Sequence, residues 1–234
     1  IKNRIDIARA KEEYLKWGGF YEVFEASDEM TKKELLISYV KNIIYQDIIP
    51  RYSIRNSEIV ERLFFYLLTN IAGVINYTTL AKTFEVSDKT IKEYINYFED
   101  VFLLKRIDKF HNKLKEKIKS TKKIYVLDNG FLQIAPTNSK NLGSSLENGV
   151  YVILNKIYDE VTYIKENYEI YFKCTDTLYQ VSYKMDDEKT RQRELRAYES
   201  FDEGAYYKHK VITYDETKNL EKVEIVKFDD FVFG

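Results

Sequence analysis

Residues 77–100, which read YTTLAKTFEVSDKTIKEYINYFED, restrict the fold of this chain most because they have the pattern of a helix-turn-helix. Thr78 or Thr79 can cap a first short helix, and Ser87 can cap a second one after a tight turn at 85–86. In DNA-binding versions of this motif the second helix enters the major groove. The pattern therefore predicts two packed helices and a candidate surface for nucleic acid.

The second helix of this motif is expected to have one apolar and one polar face. Ile91, Ile95 and Phe98 recur at spacings of four and three residues, which places them on one side of a helix. Because the lysines on the opposite side are balanced by acidic residues, that side suits either DNA or a protein partner. It holds Asp88, Glu93 and three candidate nucleic-acid ligands, which are Lys89, Lys92 and Asn96.

Residues 105–123, KRIDKFHNKLKEKIKSTKK, form the basic part of the chain. They hold nine Lys or Arg against Asp108 and Glu116, a net charge of +7, although the whole chain carries −1. Such a stretch favours phosphate backbones, but most are solvated lysine-rich loops. Its place after the helix-turn-helix, between strand candidates at 101–107 and 122–127, is that of the β wing in a winged helix. The wing hypothesis adds four candidate nucleic-acid ligands beside the 87–99 helix, namely Lys109, Lys113, Lys115 and Lys117.

The remaining periodic segments predict two domains. Helical spacing occurs at 31–45 and at 57–72, and the second of these segments completes a three-helix core with the two helices at 77–99. The turn-rich residues 136–143 mark the domain boundary. The order that follows predicts a mixed sheet flanked by helices. It comprises a helix from Ser144 or Ser145, strands at 161–165, 169–173 and 178–183, a charged helix at 190–200, and strands at 211–214 and 223–228.

Composition excludes several classes of protein. No run of 18 apolar residues occurs, so neither a membrane span nor membrane contact is expected. Cys174 is the single cysteine, which rules out an internal disulfide and suits a reducing cytoplasm. His111 and His209 lie far apart in sequence, so no structural zinc site is expected. The chain begins at Ile1 rather than Met, which indicates a fragment or a processed product.

Six segments resemble, in the same order, the C-terminal region of predicted bacterial and archaeal P-loop ATPases of the AAA superfamily. In that region a domain of unknown function joins a winged helix to a nuclease-like fold. The segments are GGFYEVFEA at 18–26, YQDIIPRYSI at 45–54, YFEDVFLLKRIDKF at 97–110, KIYVLDNGF at 123–131, LENGVYVIL at 146–154 and YQVSYKMDDEKTRQREL at 179–195.

The resemblance implies an α+β fold class, in which a winged helix-turn-helix is followed by a mixed-sheet α/β restriction-endonuclease-like domain. It assigns 1–30 to the tail of a missing ATPase lid, 31–135 to the winged-helix domain and 136–234 to the nuclease-like domain. It also implies a preceding ATPase domain that uses ATP and Mg²⁺ and is a partner of this region. No GxxxxGK(S/T) loop occurs in this chain, so we expect no cofactor here.

The resemblance further implies a degenerate nuclease site. In active PD-(D/E)XK nucleases a helix Glu, a strand Asp and an acidic residue two before a Lys converge on Mg²⁺ and activate water. Glu147 matches the helix position, whereas Tyr171 replaces the Asp, Gln180 the second acid and Ser182 the Lys. One carboxylate holds Mg²⁺ poorly. We therefore expect no catalytic residue, no metal site and no enzyme activity in this chain.

Two other motifs favour structural roles. Asp128-Asn129-Gly130 is typical of a turn rather than an active site. Thr190, Arg191, Arg193 and Glu194 match a TRQRE stretch of the resembled family and favour structural pairs.

Three hypotheses about function stay open from the sequence. The first is a non-catalytic C-terminal region of an AAA-type ATPase, whose winged helix contacts DNA or a protein. The second is a protein–protein assembly module without DNA binding. The third is an active Mg²⁺-dependent nuclease. A DNA titration at two salt concentrations separates the first two, because phosphate contacts make binding steeply salt-dependent.

Overall fold

The computed structural model describes residues 2–136, 142–185, 192–193, 196–198, 201, 207–216 and 223–233. These residues divide into two compact units. The helical unit comprises 12–106 and 123–140, and the sheet unit comprises 1–11, 107–122 and 141–234. Among the described helices, none combines the length and the apolar character needed to cross a membrane.

The first half of the chain is helical. A π-helical segment at Ile43–Ile48 joins α3 to α4, so the helix predicted at 31–45 is longer than the pattern indicated. The elements are α1 (Lys2–Trp17), α2 (Tyr21–Glu25), α3 (Glu29–Asn42), α4 (Ile49–Arg51), α5 (Ser57–Leu68), α6 (Tyr77–Phe84) and α7 (Asp88–Asp100).

Helix α5 supplies much of the core of the helical unit. Its buried side chains recur at helical spacing and include Leu63 and Phe64, both fully buried. Phe64 meets Phe98 of α7 edge to face, with ring centroids 5.4 Å apart. The helix ends at Leu68 rather than at residue 72 as predicted, because residues 69–73 form turns and the Ala72 N–H donates to the Ile124 carbonyl at 2.8 Å.

The predicted helix pair of the helix-turn-helix is present as α6 and α7. Ser87 caps α7 as predicted, since its side chain accepts from the Thr90 N–H at 3.0 Å. The predicted cap of α6 at Thr78 or Thr79 is wrong. Asn76 caps it instead, accepting from the Thr79 N–H at 2.9 Å. Asn and Thr can both cap a helix, so only the position of the first turn decides between them.

Seven strands form one mixed sheet in the order β2-β1-β3-β4-β5-β6-β7. Strand β4 is antiparallel to β3 and β5, whereas the β1–β3, β5–β6 and β6–β7 pairs are parallel. The α+β class and the mixed sheet are therefore confirmed. The strands are β1 (Leu104–Lys109), β2 (Lys122–Val126), β3 (Thr162–Lys165), β4 (Glu169–Cys174), β5 (Thr177–Ser182), β6 (Lys208–Thr213) and β7 (Glu224–Lys227).

The part of the chain that carries this sheet also includes the helices α8 (Leu114–Lys119), α9 (Leu142–Ile157) and α10 (Phe228–Phe233). Helix α9 packs on β4 and β5, and every residue of β5 is buried.

The boundary predicted at 136–143 and the helix predicted at 190–200 fall largely outside the described residues, as do Thr190, Arg191 and Glu194.

The basic stretch differs from the predicted wing loop. Helix α8 forms within it, and β1 lies between β2 and β3 in the sheet order. The strand predicted at 101–107 begins only at Leu104, because α7 continues to Asp100 and Phe102 turns the chain with a φ of 60°. Most of the stretch, residues 107–122, clusters with the sheet unit rather than with the helix-turn-helix.

Candidate functional site

On the polar face of α7, each residue predicted to bind nucleic acid already contacts another residue of the protein. Lys89 is exposed, and its ammonium lies 3.7 Å from the Glu93 carboxylate. The Lys92 ammonium stands 5.2 Å from the centre of the Tyr77 ring, a cation–π contact. The Asn96 side-chain oxygen accepts a hydrogen bond at 2.5 Å from the guanidinium of Arg106 in β1. This face is therefore a balanced polar surface rather than a cationic one.

Arg106 belongs to the basic stretch, but its guanidinium is already bonded to neighbouring side chains. Its Nε and Nη2 donate to Glu99, and its backbone N–H donates to the other carboxylate oxygen of Glu99 at 2.7 Å. Its Nη1 donates to the Tyr77 hydroxyl at 3.3 Å. Burial acts to lower the pKa of Arg106, but the hydrogen bonds to Glu99 and Tyr77 outweigh it and raise the pKa. The Arg106 guanidinium thus links β1 to α6 and α7, so it is a poor candidate for binding a phosphate.

The lysines of the basic stretch are largely paired within the sheet unit. Residues 107–122 hold six lysines. Four acidic residues lie near them, so the net charge of the ten side chains is +2; the four are Asp108, Glu116, Glu160 and Glu166. The pairs are Lys109 with Glu166 at 3.6 Å, Lys113 with Glu116 at 3.7 Å, Lys117 with Glu160 and with Asp108 at 4.0 Å, and Lys122 with Asp108. Lys115 is exposed and has no ion pair within the described residues. No sequence signal identifies Glu160 and Glu166 as partners, because each lies more than forty residues from the lysine with which it pairs.

The four residues that the sequence resemblance matches to a nuclease site, Glu147, Tyr171, Gln180 and Ser182, all lie in the sheet unit. Glu147 is a buried residue of α9. Gln180 of β5 is also buried, and its Oε1 accepts from the Tyr171 N–H at 3.0 Å. Its Nε2 donates to the Glu169 carbonyl at 2.9 Å, and the Ser182 hydroxyl donates to the Lys184 carbonyl at 2.8 Å.

Gln180 therefore braces β4 through both ends of its amide. An ionised carboxylate at this position could accept from the Tyr171 N–H but could not donate to the Glu169 carbonyl, so the amide suits this pair of bonds better. Within the described part of the chain, no three His, Cys, Asp or Glu side chains are grouped so that they could hold a metal ion.

The predicted turn at Asp128-Asn129-Gly130 has a structural role in the helical unit. The Asp128 carboxylate accepts from the Gly130 N–H and from the Gly19 N–H, each at 2.8 Å. The Asn129 amide donates to the Leu15 carbonyl at 3.0 Å. These bonds join the end of α1 to a 3₁₀ turn at Asn129–Ile134. We call them the Asp128 clamp.

The fold and the site define the class of this protein, an α+β protein that combines a helix-turn-helix pair with a mixed sheet. The chain belongs to the family described as Domain of unknown function (DUF8612), whose model matches residues 9–142. No solved structure matches the chain.

Two relatives are uncharacterized proteins. One, from Methanocaldococcus jannaschii, is 31% identical over 238 residues, which cover 95% of this chain and 53% of that protein. The other, from Haemophilus influenzae, is 28% identical over 148 residues, which cover 61% of this chain and 37% of that protein. The chain thus spans about half the length of the first relative and less of the second.

Proposed function

We propose that this chain is a non-catalytic accessory region of a longer protein and that it binds a protein partner through its helix-turn-helix. In this proposal the sheet is a scaffold in which the nuclease-like positions have become structural. The partner that the sequence resemblance suggests is an ATPase domain on the same polypeptide. The greater length of both relatives is compatible with such a further domain.

The net charge of the helix-turn-helix favours a protein partner over DNA. Residues 77–100 hold Lys82, Lys89 and Lys92 against five acidic residues, which gives −2. Affinity for DNA depends on cations that neutralise phosphates and release counterions. On α7, Lys89 is instead paired with Glu93, and Asn96 accepts from Arg106. A polar face with balanced charges is better suited to a protein surface.

DNA binding is the second candidate, and one observation favours it. Lys105, Lys115 and Lys119 are exposed, and within the described ranges none of them has a carboxylate within ion-pair distance. Within the basic stretch, they are the lysines most available to phosphates. A wing-like role for the basic stretch depends on these three lysines more than on Lys109 and Lys117, which are paired.

A DNA titration tests the choice between the two partners. Anisotropy of a labelled duplex is measured at about 50 and 200 mM salt, conditions between which a protein with many phosphate contacts loses about a thousandfold or more in affinity. We expect weak binding with a shallow salt slope. Tight binding that falls steeply with salt and is lost when Lys105, Lys115 and Lys119 are changed to Ala would establish the DNA candidate instead.

A second titration tests the protein partner. The part of the Methanocaldococcus jannaschii relative that this chain does not match is expressed alone and titrated with this chain in a calorimeter. We expect binding that is weakened by charge reversal at Lys89 and Glu93, the exposed pair on α7. A charge reversal at the exposed pair Lys208 and Asp176 of the sheet unit is the matched control. Absence of binding, or equal losses in both variants, would contradict the role given to the helix-turn-helix.

The absence of catalysis is tested with single- and double-stranded DNA and RNA in Mg²⁺ or Mn²⁺. Gln180 and Tyr171 supply no carboxylate, so the matched positions add no second acidic ligand to Glu147 for an octahedral Mg²⁺ site. We expect no cleavage. Cleavage that disappears in Glu147→Ala would show that the nuclease site is active and that another acid has replaced the missing ligand.

A further inference from the structure

A cleft of about 590 Å³ lies within the sheet unit. Its walls come from residues 110–117, from the end of α9 and the residues after it, and from β3 and β4. This volume falls in the range of small-molecule sites, about 300–1,000 Å³. None of the four vestigial nuclease positions lines the cleft.

Lys173 supplies the distinctive polar group of this cleft. Its ammonium lies 4.5 Å from the centre of the Phe110 ring and 5.2 Å from that of Tyr207. Among the described residues it donates one hydrogen bond, at 3.0 Å, to the Thr175 carbonyl. An ammonium has three donors, so this contact leaves capacity for a further acceptor.

The carboxylates near Lys173 are committed to other lysines. Glu160 pairs with Lys117, and Asp176 pairs with Lys208 at 3.1 Å. No carboxylate of the described residues comes within 4.0 Å of the Lys173 ammonium. Burial lowers the pKa of Lys173, because it disfavours the charged form, and Glu160 offsets part of that effect. A half-buried cation without a counterion gains most from an anionic ligand.

The other lining residues restrict which anion fits. Asp159 and Glu160 also line the cleft and repel a ligand with several negative charges, such as a nucleotide or a nucleic-acid backbone. Leu114 and Ile157 line it with side chains that are 72% and 61% exposed. Apolar surface of this kind gains free energy when a ligand covers it.

We propose that this cleft binds a small carboxylic acid with one carboxylate, which the Lys173 ammonium holds, and an apolar body, which covers Leu114 and Ile157. The proposal is independent of the partner assigned to the helix-turn-helix. It would make the sheet unit a ligand-binding scaffold as well as a structural one.

The test uses hexanoate as the probe, with 1-hexanol and inorganic phosphate as comparison ligands. Binding to the intact chain is followed by NMR chemical shifts in the millimolar range of ligand. We expect hexanoate to shift resonances of the cleft, hexanol to bind at least about tenfold more weakly, and phosphate to show no saturable effect. A tenfold loss corresponds to one charge-assisted hydrogen bond. Failure of hexanoate to bind, or equal binding of hexanol, overturns the proposal.

Lys173→Gln removes the charge, and Lys165→Gln is its matched control. Lys165 is an exposed lysine of β3 whose ammonium lies 3.4 Å from Glu169, and it does not line the cleft. We expect hexanoate affinity to fall about tenfold in the first variant and to stay unchanged in the second. Unchanged affinity in Lys173→Gln overturns the proposal.

A labelling experiment on the unmodified chain keeps the test valid if Lys173→Gln does not fold. The rate of reductive methylation of each lysine is measured by mass spectrometry with and without hexanoate. We expect hexanoate to slow the methylation of Lys173 severalfold and to leave Lys165 unaffected. Equal rates at Lys173 with and without hexanoate would show that the carboxylate does not reach its ammonium.

Discussion

Replacing Gly18 by Ala is expected to disrupt the Asp128 clamp. Gly18 has a φ of +78°, which side chains other than that of glycine rarely adopt. A Cβ atom at this position would lie 1.7 Å from Asp128 Oδ1 and 2.7 Å from the Gly130 nitrogen. Because of the first contact, the Asp128 carboxylate must move away and lose its bonds to the Gly19 and Gly130 N–H groups. The second contact is with backbone, so movement of the Asp128 side chain alone does not relieve it.

The expected loss of stability is the sum of the backbone strain at residue 18 and the two lost hydrogen bonds. Placing a residue with a Cβ in the left-handed region costs about 1–2 kcal/mol. The two hydrogen bonds to the carboxylate contribute about 1 kcal/mol each, since one of them is solvent-exposed. We therefore expect Gly18→Ala to lower the free energy of unfolding by about 3–4 kcal/mol. For a chain of this size the midpoint of thermal unfolding should fall by roughly 6–16 °C.

Gly19→Ala is the matched control for this substitution. A Cβ at Gly19 would lie 3.7 Å from both Asp128 Oδ2 and Tyr14, an ordinary contact. We expect this variant to change the free energy of unfolding by less than about 1 kcal/mol. Urea unfolding is followed by the fluorescence of Trp17, the single tryptophan, which is buried beside the clamp in the helical unit.

Equal destabilisation by the two alanines would refute the role assigned to Gly18. A double variant adds a second check. In an Asp128→Ala background the carboxylate is already absent, so Gly18→Ala should cost about 2 kcal/mol less than it does in the unaltered chain. Strict additivity would show that the two residues are not coupled through the clamp.

The remaining predictions concern the thiol, the caps and the basic stretch. Burial raises the pKa of Cys174 to about 12, so a thiol reagent at neutral pH should react only when the chain unfolds. Because the folded pKa lies above the unfolded value near 9, the stability contributed by the neutral thiol should be complete below that pH and be lost as pH rises from about 9 towards about 12. Asn76→Ala should cost about 1 kcal/mol in urea unfolding, as should Ser87→Ala, whereas Thr79→Ala, which leaves the cap in place, should cost less. Changing Lys109, Lys113, Lys115 and Lys117 to Ala together should leave the salt dependence of DNA binding unaltered if the partner is a protein. A slope flattened by these changes would favour the wing hypothesis.

The sequence by itself determined most of the helices and strands. Apolar spacings of three and four identified α5 and α7, and the strand-like runs identified β3, β4 and β5, because these periods reflect which side of each element is buried. The Ser87 cap was also predictable, since capping is a contact between residues three positions apart. The same local signal could not separate Asn76 from Thr78 and Thr79.

Only the tertiary structure decided how these elements and their side chains are paired. It placed β1 between β2 and β3, joined Gly19 to Asp128 across 109 positions, and engaged both ends of the Gln180 amide with β4. It also paired Lys117 with Glu160, which removed charge that composition assigned to a basic surface. Each of these contacts joins residues that are distant in sequence or belong to different strands. Their energy therefore depends on the register and packing of the whole fold, which local periodicity and charge counts do not encode.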